Sequence, residues 1–224
     1  WSQTPDTGLW SDWKIEIVRP SGTKSDVYFV HRIILSKGPR RSAYFASSFQ
    51  QNMQENEQQT SRIELQDEGA EKLLLDYIYH EEITEIPLKQ KLTLYLLAVY
   101  FQITVLGQVI IEKFKTSISL EETAELIGEA GTLADTLGVL LDAAAVRCVN
   151  LCCSHTNFGF LVEPDFFPRI FGALEGCGGS RSGQGVPFKL FDQAVNSMLR
   201  CRGSLSRETF DLISSRYDQS FHTA

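Results

Sequence analysis

The stretch Asp26–Leu65, DVYFVHRIILSKGPRRSAYFASSFQQNMQENEQQTSRIEL, decides the fold. It opens on Val27-Tyr28-Phe29-Val30, a β-branched and aromatic run that predicts a short buried strand, closed by His31. Arg32-Ile33-Ile34-Leu35 and the breaker Gly38-Pro39 follow. Then Ser42-Ala43-Tyr44-Phe45, Phe49 and Met53 recur at the helical spacing that puts them on one face. A polar loop, Glu55 to Ser61, leads to Arg62-Ile63-Glu64-Leu65, whose strict alternation predicts a half-buried strand. The order is strand, helix, helix, strand, and no catalytic cluster lies within it.

Working outward, Trp1 to Asp12 reads as a loosely held polar lead-in. In Trp13-Lys14-Ile15-Glu16-Ile17-Val18 the residues Trp13, Ile15 and Ile17 share one side, which predicts a strand with one wet face. The turn residues Pro20-Ser21-Gly22-Thr23 join it as a hairpin to the strand ending at His31. Beyond Leu65, a helix starts at Ala70 or Glu71, its acidic first turn suited to the macrodipole, with Leu74, Tyr77 and Ile78 as its core face, and ends near His80. After Pro87 the run from Leu88 is apolar on every side, which predicts a surrounded core helix, and Gly107 predicts a break before the helix carrying Val109, Ile110, Phe114 and Ile118.

The pattern of a strand ending in His31-Arg32 with Leu35 four residues past the histidine, then Ser42-x-Tyr44-Phe45, then Arg62-Ile63-Glu64-Leu65, resembles the BTB/POZ domain. Leu97-Ala98-x-Tyr100 is similar to that family's late helices. The resemblance implies an α+β fold, a small β-sheet capped by helices over residues 13–117, and a module that self-associates and recruits proteins rather than catalysing a reaction. The helices that follow resemble, in pattern, the BACK domain common after BTB in adaptors, giving an all-helical region over 118–218. Its signals are a capping box at Ser119-Leu120-Glu121-Glu122, an apolar face of Leu133, Leu137, Leu140, Leu141, Ala144 and Cys148, a proline-led turn at Pro164, and last helices around Phe188, Phe191, Val195, Leu199, Phe210 and Ile213.

Composition agrees with a globular chain. It has 224 residues, 43% hydrophobic and 22% charged, enough for a sizeable core and one large or two small domains. The net charge of -7 without a basic stripe argues against nucleic acid as a partner. The most apolar stretch, Leu92 to Leu106, is shorter than the roughly 20 residues of a membrane span and is interrupted by polar residues, so no membrane partner is expected. Five cysteines in no framework spacing predict a reducing, intracellular setting, cytoplasmic or nuclear. The first residue is Trp1 rather than Met, as in a fragment or processed product.

The sharpest functional signal is Met53-Gln54-Glu55. BTB adaptors that bind the cullin-3 scaffold carry a hydrophobic-x-Glu motif at this place. The resemblance therefore implies a cullin contact through Met53 and Glu55, backed by Phe49, and an unidentified protein substrate bridged to a ubiquitin ligase. The physical logic is an apolar side chain docking in a partner's groove beside an orienting carboxylate; the plainer reading is a helix ending in a solvated acidic loop. Self-association, as a homodimer or higher assembly, is expected through the hairpin and the first short helix, at Trp13, Ile33 and Ile34. The long form of the family adds an N-terminal helix that swaps between subunits, and Trp1–Asp12 is too short and polar to supply it. The alternative function is an oligomerisation scaffold with no ligase link.

Other constellations favour bland roles, and no catalytic residue, cofactor or metal is expected. His31 has no nucleophile arrangement around it and reads as structural, its ring bonded to backbone. Cys148, Cys152, Cys153 and His155 lack the paired spacing of structural zinc and read as core, while Cys177 reads as exposed. The glycines of Glu175–Gly185 have no Gly-Lys-Ser/Thr ending and read as a flexible insertion. Arg40-Arg41 reads as solvated surface.

Overall fold

The computed structural model describes residues 1–4, 10–19, 26–50, 58–65, 69–80, 86–130, 134–152, 158–176, 190, 192–197, 207, 211 and 214–215. Its chain divides into two compact units, Trp1–Ile110 and Ile111–Ala224. The first holds β1 (Trp13–Val18), β2 (Asp26–Val30), α1 (Arg32–Ser36), α2 (Ala43–Ser48), β3 (Thr60–Glu64), α3 (Ala70–His80), α4 (Leu88–Tyr100) and the start of α5 (Thr104–Ser117). The second continues with α6 (Leu120–Ala130), α7 (Ala134–Leu151), the short α8 (Phe158–Leu161), a 3-10 turn at Pro164–Phe166 and α9 (Phe167–Gly176). A small three-stranded sheet with helices, followed by further helices, is the expected α+β architecture.

The hairpin forms as read: β1 pairs antiparallel with β2, Trp13 opposite Val30 and Ile15 opposite Tyr28. On its other edge β1 pairs in parallel with β3, Ile17 opposite Ile63, so β1 is the central strand. Trp13, Ile15 and Ile17 are buried while the residues between them are half-buried. Tyr28 and Val30 go fully under, but Val27 and Phe29 stay half-buried, so β2 is not the wholly buried strand its composition predicts. The reason is that its side chains alternate between the two faces of the sheet, as those of the central strand β1 do, and only the face carrying Tyr28 and Val30 is fully covered.

The first residues of the lead-in are held, not loose. Ser2 exchanges both backbone hydrogen bonds with Phe29, at 3.0 and 2.7 Å, and the Trp1 indole donates to Asp76 on α3 at 2.9 Å. Gly38, the predicted breaker, ends the turn after α1 at φ +88, where a side chain would be strained.

The predicted break at Gly107 does not occur. α5 runs through it, and the chain breaks earlier, between α4 and α5. There the Gln102 N–H donates to Val99 O at 3.1 Å and the Ile103 N–H to Ala98 O at 2.8 Å, with Gln102 at φ +54. This is a Schellman stop with glutamine where glycine is usual.

In the second unit the capping box is complete: the Glu122 N–H donates to Ser119 Oγ at 3.1 Å and the Ser119 N–H to Glu122 Oε2 at 3.0 Å. Leu137, Leu140, Leu141, Ala144 and Cys148 bury the predicted face of α7, and Pro164 leads its turn as expected. Residues 192–197 are helical, and Ser197 Oγ donates to Val162 O at 2.7 Å. The predicted turn at Pro20–Thr23, Leu133, Phe188, Phe191, Leu199, Phe210 and Ile213 lie outside the described residues, as does most of Glu175–Gly185.

Candidate functional site

The strand-helix-helix segment builds two neighbouring surfaces in the first unit, one at each end of α2. At its start, Ser42 caps the helix: Oγ accepts the Phe45 N–H at 3.1 Å and donates to Phe101 O, at the end of α4, at 2.6 Å. One fully buried hydroxyl thus closes α2 and ties it to the α4 stop. The aromatics follow: Phe45 stacks on Phe101 at 5.2 Å between ring centroids, and Tyr44 lies 5.6 Å from Tyr100 and 5.5 Å from Phe101.

At this junction the helix predicted to be surrounded is not. Val99 and Tyr100, in the last turn of α4, are 49% and 55% exposed, and Val105 in the next helix is 44% exposed. Tyr100 adjoins Tyr44, so exposed apolar surface from α4 meets the start of α2. The sequence hid them because α4 carries apolar residues on all faces.

At the other end of α2, Phe49 is half-buried, its ring 4.7 Å from Trp13 and 5.7 Å from Phe45. Met53 and Glu55, the remainder of the expected cullin contact, lie outside the described residues. Of the three residues expected at a self-association face, Ile33 is 69% exposed and Ile34 half-buried. Trp13 is 2% exposed, its indole donating to Ser61 Oγ at 3.1 Å. It meets any partner only through the groups it backs, Phe49 and Arg32. The Arg32 guanidinium sits 5.7 Å from the Trp13 ring and 5.8 Å from the Phe49 ring.

Asp12, which the sequence reading passed over, organises this end. Its Oδ1 accepts the Arg32 N–H at 2.8 Å and Oδ2 accepts Arg32 Nε at 3.2 Å. A carboxylate from outside the helix therefore caps α1, which has no side-chain cap of its own. Asp12, Arg32, Ile33, Lys37, Ala46 and Phe49 are the main walls of a groove of about 380 Å³ between α1 and α2.

Two polar clusters hold the frame. Burial pushes the Tyr79 phenol up to about 12. Its hydroxyl accepts the His31 N–H at 2.8 Å and lies 3.0 Å from His31 Nδ1. The His31 ring, read from sequence as structural, meets a phenol on α3. The second cluster is Arg19, 6% exposed, whose Nη2 reaches Glu71 Oε1 at 2.7 Å and Asp26 Oδ2 at 3.2 Å. Tyr28 Oη also donates to Glu71 Oε1, at 3.1 Å, and burial followed by the Glu71 charge pushes this phenol up. Burial opposes the charge on Arg19, yet Glu71 and Asp26 leave its pKa above the ordinary value. Glu71, read from sequence only as a first-turn acid, is the buried hub.

Among the described residues no group of three or more His, Cys, Asp or Glu is placed to hold a metal ion. Cys148 and Cys152 are buried free thiols. Burial, then the neighbouring Cys152, pushes Cys148 up to about 12, and Cys152 donates to Val149 O at 3.1 Å. Cys153, His155, Cys177 and Cys201 lie outside the described residues. Arg41 is exposed and Arg40 half-buried. No described helix is long and apolar enough to cross a membrane.

A family model described as the BTB/POZ domain matches residues 7–118, half of the chain. No curated protein matches it.

Proposed function

The chain belongs to the BTB/POZ family, which makes it a protein-interaction or oligomerisation module, and from that premise we propose that it is a cullin-3 substrate adaptor. In this reading residues 13–117 form a self-associating BTB domain and residues 118–218 a BACK-like helical domain, with substrate choice residing outside the BTB part. It is a docking protein rather than an enzyme.

The observation that supports it is the exposed apolar cluster of Val99, Tyr100 and Val105 beside Tyr44, at the start of the helix that leads through Phe49 towards Met53 and Glu55. A partner helix laid along α2 would meet aromatic surface at its start, and in sequence Met53 and Glu55 come a few residues after its end. Anchors of this kind carry most of the energy of an interface. Of α2 itself only Phe45 is buried, while Tyr44 is half-buried beside Tyr100.

The test is capture by the cullin-3 N-terminal domain of the full chain, of Tyr100→Ala, and of Met53→Ala with Glu55→Ala. Binding by the unsubstituted chain that both variants lose by at least about 30-fold supports the adaptor, the size expected for an interface hot spot. Binding that survives the double substitution removes the proposed contact. An unsubstituted chain that does not bind leaves an oligomerisation scaffold with no ligase link.

A further inference from the structure

The turn that joins α1 to α2 gathers positive charge on an acidic chain. Lys37, Arg40 and Arg41 fall within one short run, Lys37-Gly38-Pro39-Arg40-Arg41, that holds no acid, while the chain as a whole carries a net charge of -7. Other arginines of the first unit are answered in place, Arg19 by Glu71 and Asp26, and Arg32 by Asp12. Lys37 and Arg41 are exposed, and among the described residues neither side chain has an ion-pair or hydrogen-bond partner. Neighbouring cations are often no more than solvated surface. These two border a groove.

Arg41 lines a groove of about 360 Å³ together with Gly38 and Pro39 of the turn, Ala43 of α2, and Thr104 and Val105 of α5. Pro39, Ala43 and Val105 make part of it apolar, and Val105 is 44% exposed as it stands. No carboxylate lines the groove, and the first turn of α5 has no acid to offset the arginine. Its sides are tied to each other. The Ser42 N–H donates to Leu35 O at 2.8 Å and its Oγ to Phe101 O at 2.6 Å, and the Ala43 N–H donates to Gln102 O at 3.4 Å. The groove is therefore already shaped, which spares a ligand the cost of ordering it.

We propose that this groove docks an acidic, aliphatic segment of a partner protein: one Leu, Ile or Val side chain lies on Pro39, Ala43 and Val105, and a neighbouring Asp or Glu meets the Arg41 guanidinium. The occupant follows from charge complementarity. An arginine fork without a partner is suited to a carboxylate, which it grips through two parallel N–H donors. The net charge of -7 repels acidic partners elsewhere, so the basic turn, with Lys37 beside it, is where such a segment is drawn in. This goes beyond the cullin reading: the walls are the α1–α2 turn and the start of α5, Val105 is the one residue shared with the exposed face of the α4–α5 corner, and the hydrophobic-x-Glu motif takes no part.

The test is fluorescence polarisation of labelled peptides with the full chain, Arg41→Glu and Val105→Ser. Both positions are exposed, so the fold survives the changes, and far-UV circular dichroism checks that it does. The probe is Glu-Glu-Leu-Asp-Glu; one control replaces each acid by its amide, another the leucine by serine. The expected result is saturable binding of the probe that each variant weakens at least about 10-fold and that falls as sodium chloride rises from about 50 to 500 mM, because exposed charges are screened. Both control peptides should bind at least about 10-fold more weakly than the probe. A serine control that binds as tightly as the probe shows attraction to bare charge and overturns the groove, as does an Arg41→Glu chain that keeps full affinity. No binding at millimolar peptide overturns the proposal outright. If Arg41→Glu instead changes self-association followed by light scattering, the occupant is a second copy of this chain and the partner segment falls.

Discussion

Replacing Arg19 by Met tests whether the buried charge cluster acts as one unit. Arg19 and Glu71 have side chains only 6% and 5% exposed, and their 2.7 Å ion pair joins the end of β1 to the first turn of α3. The Glu71 carboxylate is served on one oxygen only: Oε1 accepts from Arg19, from Tyr28 and, at 3.4 Å, from the Gly69 N–H, while Oε2 has no partner. Without Arg19 it keeps one phenol and one long amide contact. Removing one member of a buried pair costs about 3–5 kcal/mol, mostly the expense of the charge left behind. A loss of that size is a large part of the 5–15 kcal/mol that holds a domain together, and lowers Tm by roughly 10 °C. Glu71→Leu should cost less, about 2–4 kcal/mol, because Arg19 then keeps Asp26, which is 39% exposed and still solvated. The double variant strands neither charge and should lose at least about 2 kcal/mol less than the sum of the two single losses, short of full recovery because the Tyr28 hydroxyl loses its acceptor. Urea denaturation of the four chains measures the cycle. Losses that add to within about 0.5 kcal/mol would show two independent surface-like charges and refute the reasoning.

Further outcomes follow from single contacts. Ser42→Ala removes both the α2 cap and the donor to Phe101 O, and should cost about 2 kcal/mol in urea melts, twice an ordinary cap. Gly107→Ala should stabilise by about 0.5–1 kcal/mol, since the position is helix interior with open space around an added methyl, and Gln102→Gly should stabilise similarly by suiting the left-handed stop. The Tyr79 phenol is raised from 10.0 to about 12 in the fold. Its contribution is therefore fully present below pH 10 and is lost as pH rises towards 12. Tyr79→Phe should start less stable at pH 8, because the His31 N–H loses its acceptor, and then fall less steeply than the unsubstituted chain when urea midpoints are followed up to pH 11.5.

What the sequence made legible is what periodicity encodes. The alternation at Trp13–Val18 and at Arg62–Ile63–Glu64 gave strands, and the Ser119–Glu122 spacing gave a helix start that forms both its bonds. Partners distant along the chain stayed hidden. Asp12 caps a helix twenty residues away, and Glu71 binds an arginine fifty-two residues before it; neither pairing leaves a periodic mark. Trp13 read as an interface candidate because its strand belongs to the hairpin, but period two assigns it to the inward face, where Ser61 and Phe49 cover it.

The α4–α5 corner explains why the exposed surface, in particular, escaped prediction. Glycine is the expected helix stop, so Gly107 drew the boundary; the fold stops instead at Gln102, in a conformation that glutamine adopts only when its neighbours compel it. The compulsion is visible: Ile103, beyond the stop, is 1% exposed, and Ser42 and Tyr44 of α2 bond to Phe101 O from the outside. Burial of Phe101 and Ile103 thus fixes where α4 ends, and the turn that results swings Val99, Tyr100 and Val105 out to solvent. In a helix apolar on all sides, which residues emerge depends on where the chain turns, and that is decided by contacts from another helix. The apolar surplus of α4 is therefore both core and surface, and its surface share lies beside the helix that the expected docking motif follows in sequence.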